Sequence, residues 1–458
     1  MRVRMILPAL TEATSPFFRP IKYSLFPPLG LATLAAYLRP DDDAVLVDEH
    51  VHTLDTDDAP DLVVIQVYIT SARRAYQIAD LYRARGAHVA LGGLHVTSLP
   101  DEAAPHADAV FLGPGEQTFP QFLADVRVGR AARVYRSTAG RTLERLPPIR
   151  RDLIDRARYL VPNSIVVTRG CPQHCDFCYK DAFFQGAATV DSILRGDLIE
   201  RAAEAGLRSL FVGFETLTPG NLARSGKRQN LGRDYSAVAA RLHSLGIMIN
   251  GSFVFGMDDD DGDVFRRTVD WAIEQGITTA TFHIQTPYPG TGLAARLEAQ
   301  RRITTRDWDL YDTRHVVYQP ARLSPEALKR GYDWAYREFY RWSSIGRAAW
   351  AHGSRKHQAK HFFYAAGWKK FERAWNVVIR ARQLGLMTPL LEAVLSKVPS
   401  WHNAPHDRHQ PSASAALDPG SRPRAEDRAS PLRAIAGAAA RARDQPHRDQ
   451  GFGCEAID

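Results

Sequence analysis

Short apolar runs alternate with segments of helical period over the first 150 positions. Residues 3–7 form an apolar run stopped by Pro8, and residues 44–47 form another that ends at Asp48. Residues 62–69 form a longer run, as expected of a strand buried on both faces of a parallel sheet. Two more strands are predicted at 89–91 and 109–112. Between them, 30–38, 72–85 and 117–126 read as helices, the second closed by Gly86. This order predicts an open, doubly wound, Rossmann-like α/β domain over 1–150.

The rhythm then repeats in units of about 30 residues. Strands are predicted at 164–167, 187–190, 209–214, 247–255 and 279–285. Helices are predicted at 197–205, 235–245 and 264–274, followed by Gly206, Gly246 and Gly276. The pattern predicts a partial parallel β/α barrel over 160–322. Function in such barrels sits at the strand carboxyl ends. A helix at 323–342, opened by Ser324-Pro325-Glu326, begins a helical cap over 323–400. The Pro-, Ser-, Ala- and Arg-rich text of 401–458 predicts a disordered tail.

Composition changes this picture little. An apolar fraction of 45% suits globular packing. No run of 18 apolar residues predicts a transmembrane helix, and the first residues are too short an apolar core for a signal peptide. A cytoplasmic location is expected. The net charge of +8 invites an anionic partner. Residues 341–385 hold ten Lys/Arg against the single acid Glu372, interleaved with Trp350, Phe362, Phe363, Tyr364, Trp368, Phe371 and Trp375. Such text can bind RNA or an anionic membrane. An amphipathic cap with its basic face in water is the simpler reading.

The chemistry is concentrated in one loop. Cys171, Cys175 and Cys178 are spaced C-x3-C-x2-C. Three thiolates on a short loop can hold three irons of a 4Fe–4S cluster and leave the fourth open. A disulfide framework does not fit so sparse a set. A zinc site would need His174 from inside the same tight loop. Cys454 is too remote for a ligand. Two glycine turns, Gly92-Gly93-Leu94-His95 and Gly113-Pro114-Gly115-Glu116, fall at strand ends, and neither is a G-x-G-x-x-G fingerprint. The acidic run 258–261 is expected to cap the next helix and meet water. His50 and His52 are expected at the surface, and His283 as a satisfied core histidine.

With Gly170 before the first cysteine and Phe177 before the last, the loop resembles that of the radical S-adenosylmethionine (SAM) superfamily. Residues 26–38, 92–97 and 111–116 resemble the cobalamin-binding domain that precedes many radical SAM domains. The Asp-x-His-x-x-Gly motif of other cobalamin proteins is absent. The resemblance implies that Cys171, Cys175 and Cys178 ligate the cluster, with Phe177 or Tyr179 packing nearby. It implies contacts to SAM from Glu215, Gly251, Ser252 and Gly256. Thr70, Ser71, Gly92, Gly93, His95, Gly113, Gly115 and Glu116 would line cobalamin. His283, Gln285 and Thr286 would point to the barrel mouth. The implied function is a cobalamin-dependent radical SAM enzyme of the C-methyltransferase kind, acting on a small molecule or natural product. An electron donor such as flavodoxin or ferredoxin is implied, and nucleic acid is not. A radical SAM tRNA modifier is a second reading, although no cysteine precedes Cys171 to build the extra cluster domain such enzymes carry.

One departure weighs against activity. The family's partial barrel has six strands, yet the 31 residues from Tyr179 to Ser209 hold one β/α unit where two are expected. A five-stranded barrel with a reduced grip on SAM is therefore expected, and a catalytically impaired remnant is the third reading.

Overall fold

The computed structural model describes residues 1–10, 25–137, 144, 146–164, 175–178, 187–188 and 190–370. Met1–Lys397 form one compact unit. In its first part, β1 (Arg2–Leu7) leads to α1 (Leu29–Leu34), β2 (Asp43–Asp48), β3 (Leu62–Gln66), α2 (Ala72–Ala84) and β4 (His88–Gly92). Two short helices follow, α3 (Leu94–Ser98) and α4 (Pro100–Ala103), then β5 (Ala109–Leu112), α5 (Gly115–Arg127) and β6 (Val134–Arg136). The six strands form one sheet in the order β2-β1-β3-β4-β5-β6, with parallel pairing throughout.

Alternation along each strand builds two cores from one run of apolar residues. Val3, Met5, Leu62 and Val64 pack to one side with Leu31, Phe119 and Phe122. Ile6, Val63, Ile65 and Val89 pack to the other with Ala75, Ile78 and Tyr82. The run expected to be a strand through residue 69 ends at Gln66. Ile69–Ser71 forms a 3-10 turn instead, because Ile69 is drawn into a separate cluster with Tyr311 and Val317. The three-residue β6, with Val134 exposed, carries no apolar run by which it could have been foreseen.

The second sheet follows. Its elements are β7 (Ala187–Ala188), α6 (Val190–Leu194), α7 (Leu198–Glu204), β8 (Ser209–Glu215), α8 (Pro219–Arg224), α9 (Tyr235–Ser244), β9 (Met248–Phe255), α10 (Val264–Glu274), β10 (Thr279–Ile284) and α11 (Gly292–Ala299). Among the described residues it has four strands in the order β10-β9-β8-β7, all parallel. The strand expected at 187–190 shrinks to two residues because Val190 opens a helix. The strand expected at 164–167 lies outside the described residues except for Ser164, which is not in a strand.

The two faces of this sheet differ. Val212, Phe214, Ile249, Phe253, Phe255, Ala280 and Phe282 are buried in the helix-covered core. The alternate residues Phe211, Gly213, Asn250, Val254, Thr281 and His283 are only half-buried. Register aligns Gly213 with Ser252 and Ser252 with Thr281, so these residues share the open face.

The helix expected over 323–342 is found as α12 (Pro325–Phe339), three residues shorter at its end, and a new helix begins at Trp342. Ser324 caps α12, its Oγ accepting from Ala327 N at 3.1 Å. Arg341 is extended and restarts the chain as α13 (Trp342–Trp350), followed by α14 (Arg355–Lys370). No described helix is long and apolar enough to cross a membrane.

Candidate cofactor-binding and active site

Cys171 lies outside the described residues, whereas Cys175 and Cys178 are both half-buried. The loop between them is held at three points. Asp176 N donates to Ser225 O at 2.9 Å, and Leu293 N, in the first turn of α11, donates to Asp176 O at 2.9 Å. The Asp176 carboxylate meets Arg296 at 2.8 Å, and Phe177 packs against the helix-covered core. Gln229 Nε2 points at Cys175 Sγ across 3.8 Å.

The same segment reaches the end of β8. Lys227, buried, forms an ion pair with Glu215. A buried lysine is rare unless paired. Glu215 has φ 65°, a left-handed conformation that costs a residue with a Cβ on the order of 1–3 kcal/mol. Its surroundings hold it there. The register slips between Gly213 and Glu215. Asn230 Nδ2 donates to Gly213 O at 3.1 Å, and the Tyr235 hydroxyl donates to Phe214 O at 3.0 Å. The sequence pointed to Glu215 and carried no signal for Lys227.

Gly256, at the end of β9, has φ +93°, and a Cβ there would lie 2.7 Å from Leu328 Cδ2. Tyr318 donates its hydroxyl to Gly256 O. The Asp260 carboxylate accepts from Gly256 N at 2.8 Å and Met257 N at 3.0 Å, and from Asn221 Nδ2 at 2.7 Å. Burial pushes Asp260 up to about 7, against the pull of these three donors. Of the acidic run, only Asp261 faces solvent ahead of α10 as expected, and Asp258, Asp259 and Asp260 are turned inward. Asp258 pairs with Arg296 and Arg302 at 2.8 and 2.9 Å, and Asp259 pairs with Arg224 at 2.7 Å. Arg296 thus joins the cysteine loop to the turn after β9.

Gly251 and Ser252 separate. A Cβ on Gly251 would press on the Phe253 ring at 3.0 Å and Ile277 at 3.1 Å, so Gly251 belongs to the packed face. Ser252 belongs to the open face. His283 also lies there, half-buried, its Nδ1 bonded to Thr313 Oγ1 at 3.0 Å. Gln285 and Thr286 are buried, and Thr286 donates its hydroxyl back to Ile284 O at 2.9 Å.

In the first sheet the glycine turns are explained first by packing. Gly93 has φ +116°, and a Cβ there would sit 2.7 Å from Val67 O. Gly113 has φ +87° and lies against Ser137 O, and Gly92 meets Phe111. Gly115 begins α5, with half-buried Glu116 in its first turn. Thr70 is half-buried, whereas Ser71 is buried and turned back on Tyr68 O. Two polar residues that the apolar run concealed, Gln66 and Tyr68, bond each other at 2.9 Å at the same strand end.

His95 is 0% exposed. Its Nε2–H donates to Glu102 at 2.9 Å, and Glu102 also accepts from Trp308 Nε1 at 3.0 Å and the Tyr76 hydroxyl at 3.1 Å. Its Nδ1 is buried without a partner among the described residues, and burial lowers its pKa. The other early histidines depart from expectation. His50 is buried, its Nδ1 2.7 Å from the Asp48 carboxylate, which also accepts from the Tyr159 hydroxyl at 3.0 Å. His52 is half-buried.

The segments after β3 and β4 meet the loops that follow β10 and α11. Ile69 packs with Tyr311 and Val317, Arg73 pairs with Asp307 at 2.9 Å, and a Cβ on Gly290 would be 3.1 Å from Ser98 Oγ. Gly290 in the loop after β10 therefore lies against the end of α3, and the loop leads into the helix that holds the cysteine loop.

Residues 23–123 match the B12-binding domain family. Over 384 aligned positions, the chain is 27% identical to bacteriochlorophyllide d C-12(1)-methyltransferase of Chlorobaculum tepidum, with 69% of this chain and 83% of that protein covered. The hopanoid C-3 methylase of Methylococcus capsulatus is 25% identical, with 70% and 77% covered. Residues 23–123 are a B12-binding domain. The fold of the chain is similar to that of the radical S-adenosylmethionine methyltransferase TsrM from Kitasatospora setae, solved with cobalamin and a [4Fe-4S] cluster bound. The TM-score is 0.52 and the identity 13%, and 84% of this chain and 99% of that one are covered. The aligned positions outnumber what 69% of a 458-residue chain can fill, so the first relative carries stretches that this chain lacks.

Proposed function

We propose that the protein is a cobalamin-dependent radical SAM enzyme that methylates an unactivated carbon of a small molecule or natural product. The observation that carries this reading is a junction. Helix α3 of the B12-binding domain and the loop bearing Cys175 and Cys178 are joined through Gly290 and α11. The donor set is soft thiolate, which suits iron–sulfur ligation.

Cys175 and Cys178, with Cys171, would hold the cluster. When bound, the cluster and SAM supply one-electron chemistry at carbon, and cobalamin supplies the methyl group. The chain's own residues bind, orient and exclude water. Arg296 fixes the cysteine loop through Asp176. Lys227 fixes the carboxylate of Glu215 at the rim, where it can accept from hydroxyl or ammonium groups of SAM. The locked turn at Gly256 offers close backbone approach. Thr281 and His283 give the open face hydroxyl and imidazole groups for substrate, above the buried Ser252. Gly92, Gly93 and Thr70 border the edge where the corrin would lie, and the buried His95 braces that edge. A flavodoxin- or ferredoxin-type donor would supply the electron.

The test is anaerobic reconstitution with iron, sulfide and a cobalamin, followed by reduction in the presence of SAM. Formation of 5′-deoxyadenosine together with retained corrinoid supports the reading. Cluster and corrinoid retained without cleavage would favour an impaired remnant, which the short interval between Tyr179 and Ser209 motivates. Loss of both refutes either form.

A further inference from the structure

We propose that the outer face of α13 and α14 is a docking surface for an anionic lipid bilayer. Helix α13 buries Ser344, Ile345, Ala348 and Ala349, and α14 buries His361, Ala365 and Ala366. Their opposite sides present Trp342 at 51% exposure, Trp350 at 78% and Phe363 at 69%. Four aromatic rings stand among the exposed large apolar side chains of the described residues, and three of them are these. Single exposed apolar residues are ordinary, but a contiguous set marks an interaction site. Two of the three are contiguous through Phe362, which lies 5.9 Å from the Trp342 ring and 5.9 Å from the Phe363 ring.

The charges identify the partner. Arg347, Arg355 and Lys356 are exposed. None of the three makes an ion pair with a described residue. No acidic residue stands in the first turn of either helix. The following text, 369–385, adds Lys369, Lys370, Arg373, Arg380 and Arg382 against Glu372. Exposed cations that make no ion pair with a described residue, beside exposed tryptophans, match the interface of a bilayer with anionic headgroups. With no described helix able to span, the protein would lie on such a surface. RNA is the weaker fit, because Trp342, Phe362 and Phe363 pack on one another and do not offer separate faces for base stacking.

The experiment is co-sedimentation of the full-length protein with vesicles of phosphatidylcholine, with and without phosphatidylglycerol. Binding is expected only to the anionic vesicles, and it should fade at high salt. A combined Arg347→Gln, Arg355→Gln and Lys356→Gln variant is expected to lose affinity about tenfold or more. A Trp342→Ser, Trp350→Ser and Phe363→Ser variant should bind weakly even at low salt. Both sets lie on exposed positions away from the cysteine rim, and an unchanged thermal transition confirms that each variant folds. No binding to anionic vesicles, equal binding by the folded variants, or retention of a tRNA probe without vesicle binding overturns the proposal.

Discussion

Lys227 is buried against Glu215, whose backbone is held at φ 65°. The lysine comes from the segment that also touches the cysteine loop, so one short stretch sets both sides of the candidate SAM site. Lys227→Met leaves the carboxylate of Glu215 without its cation. A stability loss of about 1–3 kcal/mol is expected in urea titration. SAM affinity should fall at least about tenfold, the equivalent of one lost charge-assisted hydrogen bond. Cluster content by iron analysis should stay unchanged, and Lys227→Arg should restore part of the affinity.

Asp260 ties the Gly256 turn by two backbone N–H groups. Burial raises its folded pKa to about 7, well above the ordinary carboxyl range. The native state therefore holds this proton above that range, and the group's contribution to stability declines as pH rises from about 4 to 7. Asp260→Asn removes the titration, so the variant's stability should lose that one descending component. Gly256→Ala introduces a strained left-handed residue against Leu328, and should cost about 2 kcal/mol or more.

His243, His352 and His361 contribute the opposite slope. His352 Nε2 and His361 Nδ1 share a hydrogen at 2.9 Å, and the His243 ring lies 4.4 Å from that of His352. Burial holds His243 and His352 at about 4 and His361 at about 3. The unfolded chain takes up these protons first, so stability falls as pH drops from about 6.5 toward 4. Each group contributes up to roughly 1.4 kcal/mol per pH unit. Three histidines outweigh Asp260 in that window, so thermal transitions should fall between pH 6.5 and 4. His361→Phe should flatten the fall.

Tyr340 and Tyr336 satisfy the outer side of β10, which ends the described sheet. The Tyr340 hydroxyl donates to Ala280 O at 2.9 Å and accepts from Ala280 N at 3.1 Å. Tyr336 does the same for Phe282, at 3.2 and 3.1 Å. Tyr340→Phe leaves two buried backbone groups unpaired. About 1–3 kcal/mol of destabilisation is expected in a denaturant melt, with cluster content retained.

Much of this was legible in the chain itself. The strand runs 3–7 and 109–112 and the helix 264–274 reappear with small shifts because their apolar period is set by burial, which is local in sequence. Other features depend on partners far along the chain. The run through residue 69 could not reveal that Ile69 leaves the sheet for Tyr311. Asp258 and Asp259 read as solvent-facing until Arg224, Arg296 and Arg302 surround them. His50 reads as exposed until Asp48 and Tyr159 enclose it.

By itself, the sequence determined the two α/β halves, the three-cysteine loop and the glycine turns at the strand ends, because period and spacing are properties of neighbouring residues. Only the tertiary structure decided that Ser252 rather than Gly251 belongs to the open face, that Lys227 meets Glu215, and that Gly290 lies against the end of α3. Those relations are contacts across tens to hundreds of positions, and they exist only once packing brings the segments together.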